Sequence, residues 1–278
     1  MRSGFATLVG RPNVGKSTLL NRILGTKVSI VSDKAQTTRN QVRGVLTRPD
    51  VQVVFVDTPG IHKPRTLLVE RLNDTAVNAV GDVDVVLFLV DATAPFGRGD
   101  RYVAERIPKS AILVLNKTDI ASRDEILHQL TAVGELDLAE YFPVSAVSGE
   151  GVDELVAAIE GRMPEGPQLY PDDMVTDVPE AFWVGELVRE QLLAVTHDEV
   201  PHSIACRVTE WEWPRVRVEI LVERDSQKGI VIGKGGAVLK EVGTRVREQL
   251  PEGVFVELFV KVDQDWQRRP KALERLGY

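Results

Sequence analysis

The sequence contains a single cysteine, Cys206, in 278 residues. One thiol excludes an internal disulfide framework and fits a reducing compartment. Four histidines stand apart, without the spacing that a structural zinc requires. Long hydrophobic runs are missing as well. The longest, around Val83 to Val90, is far too short to cross a bilayer. A glycine-rich motif already begins at Gly10, which leaves no room ahead of it for a cleaved signal peptide. Neither internal repeats nor low-complexity tracts occur.

The remaining composition is that of folded domains. With 43% hydrophobic and 27% charged residues, long disorder is not expected, and the length suggests two domains. The formal net charge is −7. A chain that held nucleic acid only through a basic surface would not be acidic. Any such binding must therefore rest on a local patch and a shaped groove.

Residues 1–164 alternate short apolar runs with helical patterns. Phe5 to Val9, Val51 to Val56, Val83 to Val90, Ala111 to Leu115 and Tyr141 to Val144 read as buried strands. Helical segments lie between them at Lys16 to Leu24, Leu67 to Val80, Ile126 to Val133 and Val152 to Arg162. This alternation predicts an α/β domain with a mostly parallel sheet covered on both faces. Residues 165–179 are rich in proline and acid and read as a linker. Residues 180–278 change pattern. Ala181, Val184, Leu187, Val188, Leu192 and Val195 share a helical face, and Val216, Val218, Ile220 and Val222 alternate with charged residues as a strand. Trp211, Trp213 and Pro214 fall in the expected turn before that strand. The order helix, strand, strand, glycine loop, helix, strand describes a smaller α+β domain.

GRPNVGKS, comprising Gly10, Arg11, Pro12, Asn13, Val14, Gly15, Lys16 and Ser17, follows an apolar strand and opens a helix. In that context it reads as a phosphate-binding loop. Backbone N–H groups approach the phosphates, Lys16 supplies charge to the β- and γ-phosphates, Ser17 offers a hydroxyl to Mg²⁺, and the helix N-terminus favours anions. DTPG, at Asp57, Thr58, Pro59 and Gly60, follows the run VQVVFV. Asp57 is placed to hold Mg²⁺ through water, and the Gly60 N–H to meet the γ-phosphate. NKTD places Asn116, Lys117 and Asp119 after AILVL. The Asp119 carboxylate can accept from the ring N–H and amine of guanine, a pair that adenine lacks. Asn116 can bond the purine N7, the Lys117 stem can lie over the base, and the Ser145–Ala146 backbone can donate to the guanine oxygen. Leaving such a charge-assisted pair unmade costs about 3 kcal/mol or more, which excludes ATP in practice. In QTTR, Thr38 rather than Thr37 is the candidate to close over Mg²⁺ once a γ-phosphate is present. GTP or GDP with Mg²⁺ is thus the expected ligand set, and Lys16, Thr38, Gly60 and Asn13 are the candidates for a part in turnover.

In the second domain, VIGKGG at Val231 to Gly236 lies between an apolar strand and a helix beginning near Ala237. A GxxG loop at a helix start clamps the backbone of about four nucleotides in a KH domain. From Ser226 to Arg247 the basic residues are Lys228, Lys234, Lys240, Arg245 and Arg247, against Glu241 alone, a local excess of four positive charges. Lys228, Ile232, Gly233, Lys234, Gly235, Gly236 and Lys240 are the candidate RNA contacts.

The stretches GRPNVGKSTLLN, KAQTTR, DTPGIHKP, NKTD and VSA, then YPDDMVTD, GIVIGKGGAVLKEVG, VKVDQDW and LERLGY, together resemble the Era family over essentially the whole chain. The resemblance implies a Ras-like G domain followed by a type II KH domain. It also implies binding near the 3′ end of small-subunit ribosomal RNA and a role in maturation of the 30S subunit, while the Mg²⁺-dependent hydrolysis of GTP is expected to be slow because Ile61 follows DTPG. The partners it implies are that RNA and subunit, not DNA. The location it implies is cytoplasmic, with weak peripheral association at the inner face of the membrane, although no amphipathic anchor is visible. Ile61 stands where Ras-type enzymes place a water-orienting glutamine, and no arginine is identifiable as a finger. In related GTPases an asparagine at the position of Asn13 helps to hold K⁺ beside the phosphates. A metabolic P-loop enzyme such as a kinase is disfavoured by NKTD. A passive RNA-binding protein with a structural guanine nucleotide is the remaining alternative.

Overall fold

The computed structural model describes residues 1–61, 64 and 66–278, so His62 and Lys63 of the DTPGIHKP stretch lie outside the described residues. The chain divides into two compact units. The first comprises Met1–Ser29, Thr38–Arg65 and Val69–Asp177, and the second comprises Ile30–Thr37, Thr66–Leu68 and Val178–Tyr278.

The first unit is built from β1 (Arg2–Gly10), α1 (Lys16–Leu24), β2 (Val42–Arg48), β3 (Val51–Asp57), α2 (Leu67–Gly81), β4 (Val85–Asp91), α3 (Arg98–Ala104), β5 (Ile112–Asn116), α4 (Arg123–Gly134), β6 (Glu140–Pro143) and α5 (Val152–Gly161). The strands form one sheet in the order β2-β3-β1-β4-β5-β6, parallel throughout except for β2 against β3. Every residue of β3, β4 and β5 is buried, as expected of strands covered on both faces. Each fully buried Val, Leu or Phe there contributes about 1.5–3 kcal/mol relative to an exposed one.

β2 and α3 were not expected from the sequence. β2 reads VRGVLTR, with mixed burial, because it is an edge strand and has no continuous apolar run. α3 is only seven residues long and carries three charged residues, too short for a helical period to show. α4 starts three residues before its apolar pattern. The Ser122 hydroxyl accepts the Glu125 N–H at 3.3 Å and the Glu125 carboxylate accepts the Ser122 N–H at 2.7 Å, a capping box.

The stretch read as a linker is bonded to the first unit along much of its length. Gln52 Oε1 accepts the N–H groups of Leu169 and Tyr170 at 2.8 and 2.9 Å, and the Val45 N–H donates to the Val175 carbonyl at 2.8 Å. Thr176 bridges Gly44 in antiparallel fashion, so the stretch covers the open edge of β2.

The second unit contains α6 (Glu180–Val195), α7 (Val200–Ser203), β7 (Ala205–Glu212), β8 (Arg215–Val222), α8 (Asp225–Ile232), α9 (Ala237–Arg247), β9 (Phe255–Val262) and α10 (Pro270–Leu276). β7 and β8 are antiparallel, and β8 and β9 are parallel. Leu187, Val188 and Leu192 of α6 share a core with Val216, Val218 and Ile220 of β8 and with Val242 and Val246 of α9. Trp211 belongs to β7, and only Trp213 and Pro214 form the turn. The residues leading into the glycine loop are helical, which corrects the expected strand. Gln227 Oε1 accepts the Glu223 and Arg224 N–H groups at 2.9 and 3.1 Å and so starts α8. Val231 is buried while Ile230 is exposed, so GIVI is one turn of an amphipathic helix.

Candidate functional site

Gly10, Asp57, Asp91 and Asn116 are the last residues of β1, β3, β4 and β5, and Ser145 follows β6 by two residues. Parallel α/β sheets bind ligands at these carboxyl ends. The order β3-β1-β4 makes β1 the switch point, and the phosphate loop follows it directly. The registers Leu8↔Asp57 and Asp91↔Asn116 bring the motifs to a common level.

Lys16 is buried, and its ammonium donates to the carbonyls of Gly10 at 3.3 Å and Arg11 at 3.1 Å. Burial lowers its pKa to about 8, against the opposing charge of Asp57. Burial likewise pushes the Asp57 carboxyl up, against Lys16 and the hydroxyls of Ser17, Ser29 and Thr38. Asp57 Oδ2 accepts from Ser17 Oγ at 2.6 Å, Ser29 Oγ at 2.8 Å and Thr38 Oγ1 at 3.3 Å, while Ser17 and Thr38 lie 2.9 Å apart. The buried Oδ1 has no hydrogen-bond partner among the described residues. A spare carboxylate oxygen beside two hydroxyls suits Mg²⁺, which takes one or two carboxylates and completes its shell with water and phosphate oxygens. Among the described residues no group of three or more His, Cys, Asp or Glu is placed to hold a metal, so a protein-only cage is not on offer. Thr37 donates to the Lys34 carbonyl at 2.7 Å and stays out of this cluster.

Thr58 donates to the Leu8 carbonyl at 2.7 Å, and the Ile61 N–H reaches the Gly10 carbonyl at 3.2 Å. These bonds lock DTPG against the phosphate loop. A methyl group added at Gly60 would sit 2.7 Å from the Pro12 nitrogen, so only glycine allows this approach. Arg11, named as a nucleotide contact, has its side chain in an ion pair. Its guanidinium pairs at 2.7 Å with the fully buried Asp100 of α3, whose other oxygen accepts the Gly97 N–H at 2.9 Å. Val14 is buried, Pro12 is half-buried, and Asn13 is exposed with φ 64°.

The Asn116 amide ties three motifs together. Its Nδ2 donates to the Val14 carbonyl at 2.8 Å, and its Oδ1 accepts the Ala146 N–H at 3.0 Å. The N–H expected to meet guanine at Ala146 is thus held by Asn116 here, and the Ser145 N–H goes to the Glu150 carbonyl at 2.9 Å. Lys117 adopts φ 71° and its ammonium lies 2.6 Å from Asp91. Burial raises the pKa of Asp91, but bonds from Lys117 and Thr93 outweigh it and hold the carboxyl below its usual range. Asp119 is exposed and has no hydrogen-bond partner among the described residues, which leaves both carboxylate oxygens available to a base. Sequence reasoning passes over Ser29, Asp91, Asp100 and Arg22. Arg22 donates to the carbonyls of Ala146, at 3.1 Å, and Val147. No motif marks these residues; each acts across 26 to 125 positions of sequence.

In the second unit, Gly233, Gly235 and Gly236 have φ of 73°, 62° and 80°. The Gly236 N–H bonds the Gly233 carbonyl at 3.1 Å, and Gly236 caps α9. Lys234 and Lys240 are exposed, and Lys228 and Ile232 are partly so. Arg245 is paired with Glu241 at 2.5 Å. The surplus of positive charge therefore rests on Lys228, Lys234, Lys240 and Arg247. A glycine turn opening a helix, ringed by lysines, is suited to a phosphodiester backbone.

Residues 5–117 match the model of the 50S ribosome-binding GTPase family, and residues 199–267 match the KH domain model. An Era variant from Aquifex aeolicus bound to GDP and tetrafluoroaluminate is 40% identical, with a TM-score of 0.94 over 100% of this chain and 99% of that one. Era in complex with MgGDPNP and nucleotides 1506–1542 of 16S ribosomal RNA matches with the same identity, TM-score and coverage.

Proposed function

The chain belongs to the Era family, and we propose that it is a GTP-driven switch that binds small-subunit ribosomal RNA near its 3′ end and acts in maturation of the 30S subunit. The observation that carries this reading is the full-length likeness to Era in complex with both MgGDPNP and 16S ribosomal RNA. The GTPase and KH family matches support the two halves separately.

In this reading Asp119 selects guanine, accepting from its ring N–H and amine, and Asn116 holds the base-reading loop to the phosphate loop. Lys16 gives its ammonium to the β- and γ-phosphates, and the Gly60 N–H donates to the γ-phosphate. Ser17, Thr38 and Asp57 would hold Mg²⁺, which when bound neutralises charge that builds on the phosphates. Ile61 has no group to orient a water, so intrinsic hydrolysis to GDP and phosphate is slow. We assign Asn13 as a ligand to K⁺ in place of an arginine finger. In the second unit Gly233, Lys234, Gly235 and Gly236 clamp the RNA backbone, with Lys228, Ile232 and Lys240 beside it. We place the protein in the cytoplasm, with peripheral contact to the inner face of the membrane. No described helix is long and apolar enough to cross one.

The test is GTP turnover with and without a short single-stranded RNA of the small-subunit 3′ end. The expected result is slow intrinsic hydrolysis that the RNA raises. Nucleotide that is bound but never hydrolysed, with or without RNA, would instead support a passive RNA-binding protein with a structural guanine nucleotide.

A further inference from the structure

α6 buries three charged residues, Glu186, Arg189 and Glu190, and Arg189 is fully buried. A buried charge destabilises unless it is paired, and an ion pair in a core is often no better than well-packed hydrophobic residues of the same size. The core formed by Leu187, Val188 and Leu192 does not require these charges. Their bonds lead elsewhere within the same unit, to the segment Ile30–Thr37. Arg189 is held by Glu186 at 2.8 and 2.5 Å and donates onward to the Thr37 carbonyl. The Glu190 carboxylate accepts the Val31 N–H at 2.9 Å. Two adjacent residues of one helix thus grip the backbone of this loop near both its ends. The residues flanking the loop are Ser29 and Thr38, and both hydroxyls bond Asp57 Oδ2.

We infer that Glu190 and Arg189 are positioning residues that seat the loop 30–37 and so keep Thr38 beside Ser17 and Asp57. The inference rests on the GTPase reading above. Neither residue touches nucleotide. They act through the backbone at Val31 and Thr37. Seating of the loop favours the form that holds GTP, and by linkage binding of GTP favours the seated loop against α6.

The test uses the full chain with Glu190→Ala, Glu190→Gln and Arg189→Lys. Glutamine keeps an oxygen that can accept from Val31, so it should rescue what alanine loses. In nucleotide-free protein, hydrogen exchange at the Val31 amide should quicken in Glu190→Ala and stay near the parent rate in Glu190→Gln. With Mg²⁺ present, fluorescent GppNHp should bind Glu190→Ala at least about fivefold more weakly, while GDP affinity without Mg²⁺ stays within about twofold. Should Arg189→Lys fail to fold, the Glu190 pair carries the test alone. Unchanged Val31 exchange and unchanged preference between GppNHp and GDP in folded Glu190→Ala would overturn the inference. Parent protein that binds no guanine nucleotide would instead overturn the GTPase reading, and the exchange measurement would still report on the loop.

Discussion

At the scale of single residues, the chemistry legible in the sequence is the chemistry that a local motif carries. Asp119 is the clearest case, since its carboxylate is exposed and has no partner among the described residues. Asp119→Asn should lose GTP and gain xanthosine nucleotide, because xanthine replaces the amine of guanine with an oxygen that an amide can donate to. A competition titration decides it. GTP affinity kept within about tenfold, roughly 1.4 kcal/mol, would remove Asp119 as the base reader. Asn13 was readable only through resemblance, and the expectation there is faster turnover in K⁺ than in Na⁺ at matched ionic strength. Equal rates would end that assignment. The partners of Lys16 were not readable, because burial and a pair of carbonyls are properties of the fold. Its folded pKa of about 8 lies below the unfolded value of 10.5. Below pH 8 the buried ammonium therefore weakens the nucleotide-free fold. That penalty fades as pH rises toward 10.5, where the unfolded chain binds the extra proton. Phosphates restore the charge, so nucleotide binding between about pH 8 and 9 should take up protons. Calorimetry in two buffers of different ionisation enthalpy measures the uptake, and no uptake in that window would mean that Lys16 is already charged in the free protein.

Among the secondary-structure elements, legibility follows burial. β3, β4 and β5 are buried at every residue and were visible as apolar runs, whereas β2 was not, because an edge strand needs no such run. α8 was mistaken because GIVI is apolar in every residue but glycine, and only the Gln227 cap and the exposure of Ile230 mark it as helix. The turn from α8 into α9 is where backbone geometry is most demanding. A Cβ at Gly233, at φ +73°, would lie 2.6 Å from the Val238 side chain and 2.9 Å from its nitrogen, whereas one at Gly235, at φ +62°, would meet nothing within 4 Å. Gly235→Ala should therefore cost only the left-handed penalty of about 1–2 kcal/mol. Gly233→Ala adds a clash with backbone and should cost more, in the range of exceptional single mutants, about 4 kcal/mol or above. Thermal melts of the two variants check the order, and equal melting temperatures would mean that the loop yields at Gly233.

For the whole molecule, the question is how an acidic chain of net charge −7 would bind RNA and how the two proposed activities would divide. The positive surplus is local. Arg245 is tied to Glu241, so Lys228, Lys234 and Lys240 are the charges left near the glycine turn, with Arg247 one helix length away. Lys234→Asp together with Gly235→Asp would set two negative charges where the proposal places a phosphodiester. Each like-charge contact should cost at least about 1 kcal/mol, and more where water is excluded. The substitution is structurally mild. Both positions are exposed, open space surrounds Gly235, and aspartate tolerates left-handed φ better than most residues. RNA affinity should fall by more than about tenfold, equivalent to roughly 1.4 kcal/mol. The proposed nucleotide contacts Lys16, Asp57 and Asp119 belong to separate motifs of the first unit, so GTP affinity should hardly change. RNA-stimulated turnover should disappear while the intrinsic rate persists. Filter binding of a short single-stranded RNA, run beside a GTP titration, reads both halves at once. A folded double variant that binds RNA as the parent does would reduce the GKGG loop to a helix cap, and RNA binding would have to be assigned to another surface of this acidic chain.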